Sequence, residues 1–531
     1  MRLLVKGAWI GLCACCVVFA LSAKADDLKV KTDKGRIQGK RSADGKVRVF
    51  LGIPYAAPPV GPLRWKPPQP AAKWSGTRDA TEFGYRCMQA PIFHDMVFRD
   101  PGQSEDCLTL NVWTPAKKKD AKLPVMVWIF GGGFVGGSTS EPRQDGEHLA
   151  HKGVVVVSMN YRLGIFGFFV SPELAAESPQ HAAGNYGLLD QTAALQWVKR
   201  NIANFGGDPG NVTIFGESAG SFSVSAQMAS PLAQGLFVRA IGESGAAFYS
   251  RGLSFRPLAE REKTDPAFAM TAFGTSDLAA LRAMSADDIQ QKLETRTHNG
   301  FPPFGPDVDG WFLPESVPQI YSEGKQAHVP LLAGWNRDEP SALAVNNPEP
   351  PTVQSFKAMA EKEFGPRADE FLRAFPADTD AEAVRSAIDF AGARFITFST
   401  WEWLEAQVKT GGGVPVYRYH FERPSPEDKY HPAGSGAFHS DEIEYVFGML
   451  DSRNNAKWQP EDYKLSDLIE TYWTNFARNG NPNSADAPNW PMYNAADNWQ
   501  VMHLDAHSEA GPDQHRDQDL FLQSVWVKPQ E

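Results

Sequence analysis

A pentapeptide, Gly216-Glu217-Ser218-Ala219-Gly220, sits between an apolar run at residues 212–215 and a stretch carrying Phe222, Val224, Ala226 and Met228. A serine flanked this way fits a nucleophile elbow: a strand turns sharply into a helix, and the two glycines leave room where the backbone doubles back. The N-terminus of the following helix stabilises negative charge near the hydroxyl. Such an elbow needs a sheet behind it. Apolar runs at 125–130, 154–160 and 212–215 read as buried strands, and between the last two Leu188, Leu189, Ala193, Leu195, Trp197, Val198 and Ile202 recur with helical spacing over 187–205. Later runs at 329–334 and 416–421 are separated by long amphipathic stretches such as 381–408. This alternation predicts an α/β fold, a large and mostly parallel central sheet with helices on both faces and helical insertions.

Directly after the first strand comes Gly131-Gly132-Gly133-Phe134. A glycine run there can aim backbone N–H groups at one point, as stabilising a tetrahedral alkoxide requires, and the candidate donors are Gly132, Gly133 and Ala219. Gly131-x-Gly133-x-x-Gly136 also matches a dinucleotide fingerprint, but the next strand ends in Asn160-Tyr161-Arg162 without an acid to hold a ribose. Neither a His-Glu-x-x-His nor a Walker A pattern occurs, so no metal and no cofactor is implied.

The N-terminus reads as a secretory signal peptide. Arg2 and Lys6 precede an apolar run at 8–21, and Ala23-Lys24-Ala25 is a small-x-small cleavage site. No segment is both long and uncharged enough to span a membrane. The formal charge of −11 becomes −14 once residues 1–25 are gone, which argues against a nucleic-acid partner. Cys13, Cys15 and Cys16 lie in that segment, and the simplest reading of the remaining Cys87 and Cys107 in an oxidising compartment is one disulfide, two free thiols being the alternative. Residues 26–531 are expected to form a single domain. Asn211-Val212-Thr213 matches a glycosylation acceptor but leads into the elbow strand and reads as structural.

Several longer blocks resemble the type B carboxylesterase family, which includes the cholinesterases: Phe50-Leu51-Gly52-Ile53-Pro54-Tyr55-Ala56, Ser104-Glu105-Asp106-Cys107-Leu108, Asn160-Tyr161-Arg162-Leu163-Gly164, and the run from Gly184-Asn185-Tyr186-Gly187 through Asp190-Gln191 to the elbow. The resemblance implies an α/β-hydrolase fold and a triad in the chain order serine, acid, histidine. It carries the nucleophile onto Ser218. The acid falls on Glu339, in Gly334-Trp335-Asn336-Arg337-Asp338-Glu339, where Pro340 replaces the usual glycine and Asp338 is the competing neighbour. The base falls on His439, in Phe438-His439-Ser440-Asp441-Glu442-Ile443-Glu444, with His431 as the local decoy. The family also pairs cysteines at the positions of Cys87 and Cys107, and Glu217 and Ser244 resemble supporting residues of its active-site network.

The segment between the two cysteines is where a cholinesterase carries a cation-binding tryptophan, and here Phe93 and Phe98 occur instead. Phe304, in a block resembling the acyl-pocket region, is a candidate wall. The expected activity is hydrolysis of a small carboxylic ester through an acyl-enzyme on Ser218, in a secreted or periplasmic protein. A lipase or polyester hydrolase with the same triad is the alternative. A non-catalytic adhesion protein of the same fold is the rival from another class, disfavoured because serine, acid, base and glycines are all present.

Overall fold

The structure is a computed structural model that describes residues 27–249, 254–296 and 303–527. The expected signal segment 1–25, and with it Cys13, Cys15 and Cys16, lies outside the described residues, as do Phe301 and Pro302.

Eleven strands form the central sheet. In chain order they are β1 (Lys40–Arg41), β2 (Arg48–Pro54), β3 (Thr109–Thr114), β4 (Leu123–Ile129), β5 (Val155–Met159), β6 (Gly207–Glu217), β7 (Arg239–Glu243), β8 (Leu331–Asn336), β9 (Val416–Phe421), β10 (Gln500–Leu504) and β11 (Glu509–Pro512). Their spatial order is β11-β10-β9-β8-β7-β6-β4-β5-β3-β2-β1. The seven strands from β5 to β10 pair in parallel, and antiparallel strands extend both edges. β4, β5, β7, β8 and β9 are buried almost end to end. That is what a parallel sheet covered on both faces requires, and it is why β4, β5 and β8 read as near-continuous apolar runs rather than alternating ones, while β9 buries Arg418 and His420 among its apolar residues.

The chain from β4 runs outward to β5, then returns through α1 (Tyr186–Asn201) to place β6 on the other side of β4. Loops leaving the carboxyl ends of β4 and β6 therefore emerge side by side at the point where strand order reverses, the usual location of a ligand site in such sheets. The long stretch at 381–408 is two helices, α3 (Asp380–Phe395) and α4 (Thr397–Thr410), broken at Ile396 where φ is −154°.

Two of the sequence blocks meet in the core. Arg162, just past β5, donates from Nε and Nη2 to both carboxylate oxygens of Asp190 on α1, at 2.8 and 2.7 Å, and from Nη1 to the Lys66 carbonyl at 2.8 Å. Both side chains are almost wholly buried. The pair ties the chain leaving β5 to the helix that leads into β6, so those blocks build the scaffold of the elbow rather than the elbow itself. Removing one partner strands a buried charge. Asp190→Ala is expected to cost about 3–5 kcal/mol of folding stability, read as a lowered urea midpoint, or to prevent soluble expression. An unchanged midpoint would show that the pair is dispensable.

Candidate active site

β6 ends at Glu217, and α2 (Ala219–Ala229) begins two residues later. Ser218 between them has φ 53° and ψ −123°, a conformation that side-chain-bearing residues rarely adopt. Local packing holds it there. The Ser218 N–H donates to the Glu243 carbonyl at 2.8 Å, and the Phe222 N–H donates to the Ser218 carbonyl at 2.9 Å. A methyl group on Gly216 would sit 2.6 Å from the Ile129 carbonyl oxygen, and one on Gly220 only 1.9 Å from it. Both glycines are thus required by the approach of β4, the neighbour of β6 in the sheet.

The glycine run continues from that same Ile129. Gly132 has φ 96°, and a side chain there would meet the Gly136 carbonyl at 2.3 Å. Gly131, Gly132 and Gly133 line the cavity that Ser218 faces. Ala219 opens α2, so its N–H is among the donors a helix leaves without an intrahelical acceptor. The three candidate oxyanion donors therefore flank the serine from two adjacent loops.

Glu339 follows β8, and His439 lies in the loop after β9. His439 Nε2 is 2.9 Å from Ser218 Oγ, and Nδ1 is 2.6 Å from Glu339 Oε2. The second Glu339 oxygen accepts the Asn336 N–H at 3.1 Å. The competing neighbour is occupied elsewhere: Asp338 accepts from Arg385 at 2.6 Å and from the Ala437 N–H at 2.9 Å. His431 lines the same cavity, but its ring stacks on Phe438 with centroids 4.1 Å apart and its Nδ1 faces Asp428 at 3.2 Å. Only His439 of the two reaches the serine.

Several carboxylates crowd this imidazole. Glu217 Oε1 lies 3.2 Å from His439 Nε2. Burial disfavours the imidazolium, but Glu339 and Glu217 more than offset that and raise the His439 pKa to about 9. Burial likewise raises Glu217 to about 7, against the opposing pull of His439 and Arg143. Glu243, behind the elbow, is raised to about 8 by burial while one of its oxygens accepts the Trp473 indole N–H at 2.7 Å. Ser244 is fully buried, with its N–H on the Gly334 carbonyl at 2.9 Å. It supports the turn after β7 and does not reach the cavity.

The cavity encloses about 270 Å³. Phe93, Met96, Phe395 and Ile443 form its apolar walls, and Asp95, Glu141 and Arg143 its polar end. Arg143 Nε donates to Glu141 at 2.8 Å. Phe304 is not brought there. It is buried against Phe268 and Phe169, with centroids 5.3 and 6.1 Å away, so it packs the interior while Phe93 and Phe395 supply the rings. Phe98 also points elsewhere, with the Arg86 guanidinium 4.9 Å over its ring. Phe395 closes α3 and meets the His439 ring edge-on at 4.9 Å. Nothing in the amphipathic pattern of 381–408 distinguishes Phe395. Phe93 and Met96 sit in the loop closed by the Cys87–Cys107 disulfide, whose Cα atoms are 5.0 Å apart. Gln89 ties that loop to Gly137, accepting its N–H at 2.9 Å and donating to its carbonyl at 2.8 Å.

Residues 26–520 match the model of the Carboxylesterase family. Among similar proteins, the fumonisin B1 esterase of Sphingopyxis macrogoltabida is 37% identical over 490 residues, covering 89% of this chain and 86% of its own length. The liver carboxylesterase of Sus scrofa is 39% identical over 510 residues, 87% of each chain. The medium-chain fatty acyl-CoA hydrolase precursor of Anas platyrhynchos is 38% identical over 522 residues, 91% of this chain and 90% of its own.

A base must be neutral to take a proton, and two carboxylates hold the proton on His439. The kcat/KM for a neutral p-nitrophenyl ester is therefore expected to climb with pH, reaching half its plateau near pH 9. Glu217→Gln removes one of those carboxylates, and the half-point should fall by about one pH unit or more. A profile that does not move would mean that Glu217 does not act on His439.

Proposed function

The chain belongs to the carboxylesterase family, and from that premise we propose that Ser218, His439 and Glu339 are its catalytic triad. It is an α/β-hydrolase that hydrolyses carboxylic ester bonds. The observation that carries the assignment of roles is the unbroken chain of hydrogen bonds from Ser218 Oγ through both nitrogens of His439 to Glu339, with the glycine loop facing the same serine.

In this reading His439 Nε2 takes the Ser218 proton as Oγ attacks the ester carbonyl carbon. The carbonyl π bond becomes an alkoxide, which the N–H groups of Gly132, Gly133 and Ala219 stabilise where the charge develops. The alkoxide collapses, the C–O bond to the alcohol breaks, and His439 returns the proton to the leaving alkoxide. Water then attacks the acyl-Ser218 ester, again giving its proton to His439, and the acid departs as Ser218 recovers its hydroxyl. Glu339, on Nδ1, fixes the tautomer that leaves Nε2 free to accept and stabilises the imidazolium that forms. Glu217 adds a second carboxylate to the same imidazolium and acts through it.

The apolar walls of the cavity beside Ser218 support esters with short to medium acyl groups over a lipase or polyester hydrolase. One relative is named as a hydrolase of medium-chain fatty acyl-CoA, a thioester whose acyl group falls in the same range. The missing tryptophan in the disulfide loop argues against choline esters. Residues 1–25 act as an export signal in this reading and residues 26–531 as one catalytic unit. The Cys87–Cys107 disulfide supports folding in an oxidising compartment. Among the described residues no helix is long and apolar enough to cross a membrane.

Purified wild type and Ser218→Ala should differ by about 10⁴-fold or more in kcat on p-nitrophenyl butyrate, and equal rates would exclude Ser218 as nucleophile. Across acetate, butyrate, octanoate and palmitate esters, kcat/KM is expected to peak at butyrate or octanoate and to fall at least tenfold for palmitate. A palmitate optimum would favour the lipase reading.

A further inference from the structure

On the far side of β8 from the elbow, the sheet collects a second group of reactive side chains. His420 lies in β9, and its register partner on the parallel neighbour β10 is His503. Side chains paired across neighbouring strands point to the same face, and so do alternate residues of one strand. Glu422, two residues past His420, keeps the strand's course because its N–H donates to the Leu504 carbonyl at 2.9 Å. Strand period and register together put His420, Glu422 and His503 on one face.

There the three converge on one point. His420 Nδ1 lies 2.8 Å and His503 Nδ1 2.6 Å from the same oxygen, Glu422 Oε1. The His420 side chain is 5% exposed, His503 18% and Glu422 25%, so the cluster is walled on one side and open to solvent on the other. The backing is aromatic. The His515 ring lies 5.3 Å from His420, and Trp335 lies 6.4 Å away. Gly511 on β11 packs beside the Nε2 side of His503, where an added methyl group would stand 3.4 Å away.

We infer that His420, Glu422 and His503 form a binding site for a divalent first-row transition ion of the Zn²⁺ class, with the two Nδ1 atoms and a Glu422 oxygen as ligands and water completing the shell from the open side. Two imidazoles and one carboxylate are a borderline donor set that suits Zn²⁺ and disfavours Ca²⁺ and Mg²⁺, which take oxygen ligands. Tetrahedral bonds of about 2.0–2.1 Å put ligand atoms about 3.3 Å apart, so each imidazole needs to withdraw from the carboxylate by well under about 1 Å. None of the three lines the cavity that holds Ser218. The ion would clamp β9 to β10 and take no part in ester cleavage.

The test is calorimetric titration of metal-free, untagged protein with Zn²⁺, followed by thermal unfolding with and without the ion. One Zn²⁺ per chain is expected, with a Tm that rises on binding. His503→Ala and Glu422→Gln, checked for folding by their retained esterase activity, should each weaken binding at least tenfold. His151→Ala, in the separate and more exposed group Asp44, Glu147 and His151, should not. Absence of one-to-one binding, or affinity unchanged in either of the first two variants, overturns the site. Should a variant misfold, Co²⁺-loaded wild type decides: intense visible bands of a four- or five-coordinate ion support it, and a weak octahedral spectrum or none overturns it.

Discussion

The whole active centre rests on the approach of one turn to one carbonyl. Gly216 and Gly220 bring the elbow against Ile129 at the end of β4, with no space for a methyl group at either position. That contact fixes where Ser218 stands relative to the glycine run, because the run leaves β4 from that same residue. The proposed nucleophile and the proposed oxyanion donors are thereby positioned by backbone alone. Parallel pairing of β4 with β6 supplies the rest of the constraint, since both strands deliver their loops to the same edge. The strained conformation of Ser218 is sustained by its neighbours on β7 and α2, to which its N–H and carbonyl are bonded.

A second layer of order is electrostatic. The interior around His439 holds Glu217, Glu339 and, further back, Glu243 and Glu442, all buried. Burial raises Glu217, Glu243 and Glu442 above the usual carboxylate range, so the region sheds charge that it could not otherwise accommodate. The Glu339 and Glu217 carboxylates beside His439 nonetheless favour its protonated form against the opposing effect of burial. The consequence is an imidazole that gives up its proton late. Arg143, held by Glu141 at the polar end of the cavity, keeps a compensating positive charge within the wall.

Local features were readable from the chain and distant ones were not. The elbow announces itself because strand, turn and helix are contiguous, and β4 (Leu123–Ile129) overlaps its apolar run because a strand buried along its length is apolar nearly throughout. Glu339 and His439 are another matter. They stand 100 residues from each other, and His439 stands 221 from Ser218, separations over which no periodicity speaks. They were found through resemblance of the surrounding blocks. Phe304 shows the limit of that route: its block was recognised, but whether a ring faces a cavity or packs beneath a loop depends on neighbours such as Phe169 and Phe268. Phe395 was invisible because what reads as one amphipathic stretch is two helices, and the pattern does not show that the end of the first abuts His439. The cluster on β9 and β10 was equally hidden, since it exists only once the register that sets His420 beside His503 is known.

The loop from Cys87 to Cys107 has one further implication. Its ends are joined covalently, and Gln89 and Asp100 pin it to Gly137, Ser138 and Ser140 beside the glycine run. Between those anchors Phe93 and Met96 reach the cavity, while Ser218, Glu339 and His439 lie elsewhere in the chain. The loop is thus an exchangeable cassette. Its tip can be rewritten through mutation, altering which acids and alcohols are admitted, while the hydrolytic machinery passes unchanged from one descendant to the next.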